Sequence, residues 1–147
     1  MSHATLVRFA YPESLVREFD HWAVLVRPAQ VTAGSLVLVA TNDDARRWPQ
    51  LSPDAFAELA KVTAEMEAAL QAAVGFDKIN YLMLMMSDPH VHFHVLPRHE
   101  TPRTLCGITI TDASWPVAPD VSRSVALDDQ QVRELADALA AGMPDSG

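Results

Sequence analysis

Cysteine is almost absent from this chain of 147 residues, with Cys106 standing alone. An internal disulfide is therefore excluded, and a reducing, cytoplasmic setting is the expectation. Long apolar runs are missing too. "LVLVA" at 36–40 and "YLMLMM" at 81–86 fall far short of the roughly 20 residues that cross a bilayer, so no membrane partner is expected. The opening "MSHATLVRFAYPES" lacks a basic start followed by an apolar run, and so does not read as a signal peptide. Basic residues are scarce, 11 against 19 acidic ones, for a formal net charge of −8. Long nucleic acid is disfavoured as a partner, because its binding rests on clustered Lys and Arg meeting phosphates. A small phosphate ligand is not disfavoured, since backbone N–H groups, a few histidines or one arginine can hold it whatever the net charge. Internal repeats and low-complexity segments are also missing.

What is present suits a globular α+β domain. The apolar share is 49%, enough for a sizeable core, and the length fits one domain with or without an appendage. "SLVREFDHWAVLVRP" reads as two short strands around a turn near Asp20 and His21, stopping at Pro28. Ser35 to Ala40, apolar on both faces, reads as a strand covered on both sides. "TNDDARRWPQ" reads as a polar loop. A helix is predicted from Pro53 to about Val74, with Ser52 as N-cap and Gly75 as the stop. Its expected buried face is Phe56, Leu59, Thr63, Met66, Leu70 and Ala73, with Lys61 and Glu65 pairing on the outside. Lys78 to Met86 reads as a strand whose segment from Tyr81 on is buried on both faces, and therefore needs a second cover such as a loop or another subunit. Beyond His99 a short strand at Gly107 to Thr111 is expected. A helix should follow from Asp129 to Ala141, capped by Asp128, ended by Gly142 and striped with Val132, Leu135, Ala136 and Leu139.

The informative stretch is "SDPHVHFHVLPRH", Ser87 to His99. Its strict alternation is that of a half-exposed strand, with Val91, Phe93 and Val95 toward the core and His90, His92 and His94 on the other face. On a flat strand the outer two histidines stand ~13 Å apart at Cα. Three readings follow from the residues. Two neighbours can share a metal, although all three are stretched to reach one ion and no second cluster of Cys, His or Asp completes such a site. A row of imidazoles can instead lie along an extended anion, the central one acting as nucleophile. Or the three can be a solvated face. The spacing favours the row.

"HVHFHVL" at 90–96 matches His-φ-His-φ-His-φ-φ with φ apolar, and the chain here resembles the histidine triad family. The upstream order of paired strands, "GSLVLVA", long helix and a strand into the triad is similar as well, so the resemblance covers Leu15 to His99. It implies an α+β fold with a mainly antiparallel sheet, a homodimer, and nucleotidyl hydrolase or transferase chemistry on nucleoside phosphates such as dinucleoside polyphosphates or phosphoramidates. By resemblance His92 attacks the α-phosphorus with its other ring nitrogen held by a backbone carbonyl or a neighbour, and His90 and His94 flank it. No metal or cofactor is required. Ser87 matches a small hydroxyl position that donates to phosphate, and Asn80 stands in for a family asparagine near the phosphates. Met86 stands where many members carry Gln, Arg27 where they carry an acidic or amide residue for the ribose, and Ser35 where they have a fourth histidine.

Outside the triad, Arg98 is a candidate phosphate contact, with a surface salt link as the alternative. Cys106 reads as a small packing residue. Trp22, Trp48 and Trp115 read as packing residues and His3 and His99 as solvated. The organisation expected is a main domain at 1–104 and a tail at 105–147 packed onto it. The expected partners are a small nucleotide substrate and a second copy of the chain.

Overall fold

The computed structural model describes residues 3–144. Its aliphatic and β-branched runs form strands, and its two capped amphipathic stretches form the long helices. In chain order the elements are α1 (Ala4–Arg8), β1 (Leu15–Glu18), β2 (Trp22–Val26), β3 (Ala29–Gln30), β4 (Leu36–Ala40), α2 (Pro53–Ala73), β5 (Lys78–Leu82), β6 (His92–Arg98), β7 (Arg103–Leu105), β8 (Ile108–Ile110), β9 (Val125–Ala126) and α3 (Asp129–Ala141). A five-stranded antiparallel sheet runs in the order β1-β2-β4-β6-β5, so the fold is α+β as expected. Among the described residues no helix is long and apolar enough to cross a membrane.

The sheet has two different faces. Trp22, Val24 and Val26 of β2, Leu36 and Leu38 of β4 and Val95 of β6 point to the main core, where α2 and α3 supply Val62, Met66, Leu70, Leu135 and Leu139. Ala23, Leu25, Val37 and Val39 point the other way and are covered by Leu6 and Phe9 from the N-terminal segment. This second cover is what the double-sided apolar runs require, since an aliphatic side chain contributes about 1.5–3 kcal/mol only where its own face is shielded from water. The register sets Val37 opposite His94 and Val39 opposite His92, so both histidines share the face that α1 covers.

Helix α2 has the expected ends. Ser52 accepts from the Ala55 amide at 3.1 Å, and Gly75 takes φ +69 with its amide on the Leu70 carbonyl. The buried face is Ala55, Val62, Met66, Ala69 and Leu70, rotated from the expected stripe. Phe56 and Thr63 lie on its rim, and Ala73 is exposed because packing passes to Val74 at the helix end. There a side chain on Gly34 (φ +91) would meet Val74 at 3.0 Å, which ties the β3–β4 turn to the helix terminus. Glu65 pairs with Arg17 at 3.8 Å rather than with Lys61, whose ammonium sits 6.0 Å from the Phe19 ring. The turn at Asp20 and His21 donates both amides to the Glu58 carboxylate.

Three further expectations are corrected. β5 ends at Leu82, and Leu84 and Met86 are exposed, because the chain leaves the sheet edge through Met85 at φ 54 to turn back toward the triad. "TNDDARRWPQ" is not all loop, since Trp48–Gln50 makes a turn of 3₁₀ helix in which Trp48 packs edge-on against Phe56 and Phe93. The single strand expected at Gly107 to Thr111 is one half of a hairpin, β7 with β8, turned by Cys106 and Gly107 at φ 50 and 78.

The boundary drawn at 104/105 falls inside β7. α3 spans the predicted residues, its Asp128 and Gln131 form a reciprocal cap, and its stripe enters the main core beside α2. β9 pairs with β3 in a separate two-stranded sheet, which ties the tail to the segment after β2. Trp22 is fully buried with its Nε1 donating to the Ala55 carbonyl at 2.8 Å.

His99 is buried rather than solvated. Its Nε2 donates to the Ala33 carbonyl at 2.8 Å, and burial pushes its pKa down.

Candidate active site

The site grows from the N-terminal end of β6. His92 and His94 project from the same face, ring centroids 5.2 Å apart and nearly perpendicular. Phe9 stands 6.0 Å from each ring and seals the side away from solvent. Nδ1 of His92 lies 2.7 Å from the His90 carbonyl oxygen. That oxygen only accepts, so Nδ1 carries a proton, and in the neutral ring Nε2 is the nitrogen with the free lone pair. No hydrogen bond among the described residues uses that Nε2, and His92 lines a cavity of about 170 Å³.

The flat row of three imidazoles is corrected to a row of two. His90 precedes β6, and its ring turns away from the cavity into a buried packing site. It stacks on His3 with centroids 3.6 Å apart and planes 8° from parallel. Its Nε2 meets Asp43 at 3.0 Å and its Nδ1 meets the Thr5 hydroxyl at 2.8 Å. Burial first, then His3, lowers the His90 pKa, and the half-exposed Asp43 raises it less. The Asp43 contact is therefore an N–H to carboxylate hydrogen bond from a neutral ring. His3, expected in solvent, is buried and donates from Nε2 to the Ala40 carbonyl at 2.8 Å.

The cavity is cationic in an acidic protein. Arg8 and Arg27 line it against one carboxylate, Asp88, with Phe9, Ser87, His92 and His94. Arg8 is mostly exposed and reaches Asp88 only at 3.7 Å. Arg27 donates one N–H to the Ala29 carbonyl at 2.5 Å, and its buried Nε has no partner among the described residues. Burial, then Arg8, lowers the Arg27 pKa. Burial also pushes His94 down to about 4, helped by Arg27 and His92, so this ring is neutral at ordinary pH. Its Nδ1 is likewise buried without a partner. Two guanidiniums, two imidazoles and a hydroxyl around one cavity suit the oxygens of a phosphoryl group. Among the described residues no group of three or more His, Cys, Asp or Glu side chains converges as a metal site.

The structure brings Ser87 to this cavity but not Asn80 or Arg98. Arg98 is buried two alternate positions beyond His94 on β6, and grips Asp112 of the tail through Nε at 2.7 Å and Nη2 at 3.1 Å. Its Nη1 donates to Asn80 Oδ1 at 2.8 Å. These two residues anchor the tail, and the expected surface link is a buried ion pair.

Sequence reasoning missed His3, Thr5, Arg8, Phe9 and Asp43. Only the acidic "NDD" preceding the helix was a visible signal. A five-residue helix carries too few turns for a periodic pattern.

A family model described as HIT domain matches residues 8–101. No curated protein matches the chain. Among solved structures, a histidine triad protein from Sinorhizobium meliloti 1021 aligns over 97% of this chain and 96% of its own, at 21% identity and TM-score 0.74. One from Marinobacter aquaeolei VT8 covers 98% of both chains at 18% identity and TM-score 0.72. A protein from Sulfolobus tokodaii strain7, described as a hypothetical histidine triad nucleotide-binding protein, covers 94% of this chain and 88% of its own at 17% identity and TM-score 0.66.

Proposed function

Since this chain belongs to the HIT domain family, we propose that it is a nucleotidyl hydrolase or transferase acting through a nucleotidyl-histidine intermediate on His92. The observation that carries the reading is the 2.7 Å bond from His92 Nδ1 to the His90 carbonyl, which leaves Nε2 as a lone-pair donor beside a cationic cavity. In the proposed first step Nε2 attacks the α-phosphorus. The N–P bond forms as the bond from phosphorus to the leaving oxygen or nitrogen breaks with its electron pair. Water then attacks the same phosphorus, the N–P bond returns its electrons to Nε2, and a nucleoside monophosphate and a proton are released. No metal enters these steps.

Arg8 and Arg27 would hold the non-bridging oxygens and the charge that develops on them, with Ser87 donating a hydroxyl. His94, neutral and half-buried beside His92, would face the leaving group. His90 has no free ring nitrogen and would contribute its backbone carbonyl. Two guanidiniums favour a substrate with charge beyond the reacting phosphate, so dinucleoside polyphosphates are proposed ahead of phosphoramidates. A reducing cytoplasmic setting and a homodimer belong to the same proposal. β5 is an edge strand of the five-stranded sheet, and its unpaired backbone edge supports the dimer.

The test is a substrate panel scored for nucleoside monophosphate release. Adenylate and guanylate polyphosphates and phosphoramidates are compared with wild type and His92→Asn. Turnover of at least one class by wild type, abolished in a folded His92→Asn that still binds nucleotide, is expected. Equal rates for the two proteins would refute the proposal.

A further inference from the structure

Residues 3 to 5 lie outside the segment that matches the family, yet they are built into the site. Thr5 is fully buried. Its hydroxyl lies 2.8 Å from His90 Nδ1 and 3.1 Å from the His90 backbone nitrogen. The direction of each bond follows from Asp43. A carboxylate only accepts, so His90 Nε2 carries the proton in the 3.0 Å contact. His90 Nδ1 is then an acceptor, and the Thr5 O–H donates to it. The Thr5 oxygen in turn accepts the His90 backbone N–H. Ring and peptide of His90 are thus fastened to one hydroxyl, and the ring is pressed from the other side by His3 at 3.6 Å. The peptide oxygen of the same residue receives the His92 Nδ1 proton.

Resting on the nucleotidyl-transfer reading, we infer that Thr5 is a positioning residue for the nucleophile and that α1 is part of the reaction machinery rather than a cover for the sheet alone. The Thr5 hydroxyl holds the ring and the backbone N–H of His90, and so the backbone angles that aim its carbonyl, in the next peptide, at His92 Nδ1 to select the tautomer with Nε2 free. Without it, His90 Nδ1 and N–H both lose their buried partner, the following peptide that carries the His90 carbonyl keeps only the 3.3 Å bond from the Val91 N–H to the Ala45 carbonyl, and His92 is held less firmly to one tautomer and one direction of attack.

The experiment compares wild type, Thr5→Val, Thr5→Ser and Asp43→Ala, each folded by circular dichroism and carrying any tag at the C-terminus. Steady-state kinetics are combined with ring-nitrogen NMR of ¹⁵N-histidine protein, which reports the protonated nitrogen of His92 without substrate. Thr5→Val keeps the shape of Thr5 and should lose about 10- to 100-fold in kcat, the scale of a misplaced reacting group. Its KM should stay within about twofold, and its His92 resonances should change from a single Nδ1–H tautomer to a mixture. Thr5→Ser should restore both. Asp43→Ala changes a half-exposed side chain and so spares the fold even where Thr5→Val does not. It should release the His90 tautomer and lower kcat several-fold. A Thr5→Val protein that keeps wild-type kcat and the His92 Nδ1–H signal would overturn the inference. So would a Thr5→Ser protein as impaired as Thr5→Val, or an Asp43→Ala protein with the wild-type His90 tautomer and kcat. Wild-type protein that turns over no nucleotide would refute the functional reading instead, and the NMR comparison would still decide the role of Thr5.

Discussion

Replacing Asp112 by Asn separates a structural role for Arg98 from a substrate-binding one. The Asp112 carboxylate accepts two parallel bonds from Arg98, at 2.7 and 3.1 Å, and the amides of His99 at 3.2 Å and Ser114 at 3.3 Å. Both side chains of the pair are almost fully buried, at 4% and 2% exposure. Asn is nearly isosteric, so little packing is lost, but the guanidinium keeps its charge with only Asn80 and the Val117 carbonyl as further partners. Breaking one side of a buried pair costs about 3–5 kcal/mol. Set against a total stability of about 5–15 kcal/mol, that is a large fraction. At about 2–4 °C per kcal/mol the melting temperature should fall by ~6–20 °C. Urea denaturation followed by circular dichroism gives the difference. Nucleotide KM measured below the new midpoint should not change, because Arg98 points to the tail. A stability loss below about 1 kcal/mol together with an altered KM would refute the assignment. The same pair sets an acid limit. Burial alone would raise the Asp112 carboxyl, yet the Arg98, His99 and Ser114 donors outweigh it and hold its pKa below 3.8. Its contribution is therefore present above that value and lost as pH falls through the depressed folded one.

Other outcomes are equally specific. Arg27→Ala should raise KM for dinucleoside polyphosphates by at least about tenfold, the scale of one charge-assisted contact, and should change phosphoramidate KM less; paired steady-state measurements check it. Burial holds His90, His94 and His99 below 6.5, His94 near 4, so the unfolded chain binds protons that the folded one refuses as pH drops from 6.5. Urea midpoints should accordingly fall across pH 6.5 to 4, with a shallower slope in His94→Gln. Light scattering at micromolar concentration should give the mass of two chains, and a monomer mass would remove the dimer from the proposal.

Much of the fold was legible because its signals are local. Ser52 with Pro53, Asp128 and the glycines at 75 and 142 mark helix ends by chemistry local to the chain. The alternation from Val91 to Val95 marked a strand with two faces, and the backbone-held nitrogen of His92 lies where the resemblance implied. What was hidden depends on distant packing. The rotation of the α2 face is set by α3 and Val74, and the burial of His99 by Ala33. Alternation put His90 in line with its neighbours, but the strand begins only at His92, and Thr5, 85 residues away in sequence, captures the His90 ring. Arg8 and Phe9 reach the cavity through the same short helix. Arg98 looked like an anion contact because its counter-charge, Asp112, sits in a tail whose path the residues do not state.

The central claim is a covalent bond between His92 and the nucleotide. Wild-type protein mixed with a turning-over substrate and quenched at high pH, where phosphohistidine-type bonds survive, can be digested and its peptides sequenced by mass spectrometry. A nucleoside monophosphate adduct is predicted on His92, within the span from Arg47 to Arg98 that holds all three triad histidines. An adduct mapped to His90, His94 or Cys106 in actively turning-over protein would contradict the account.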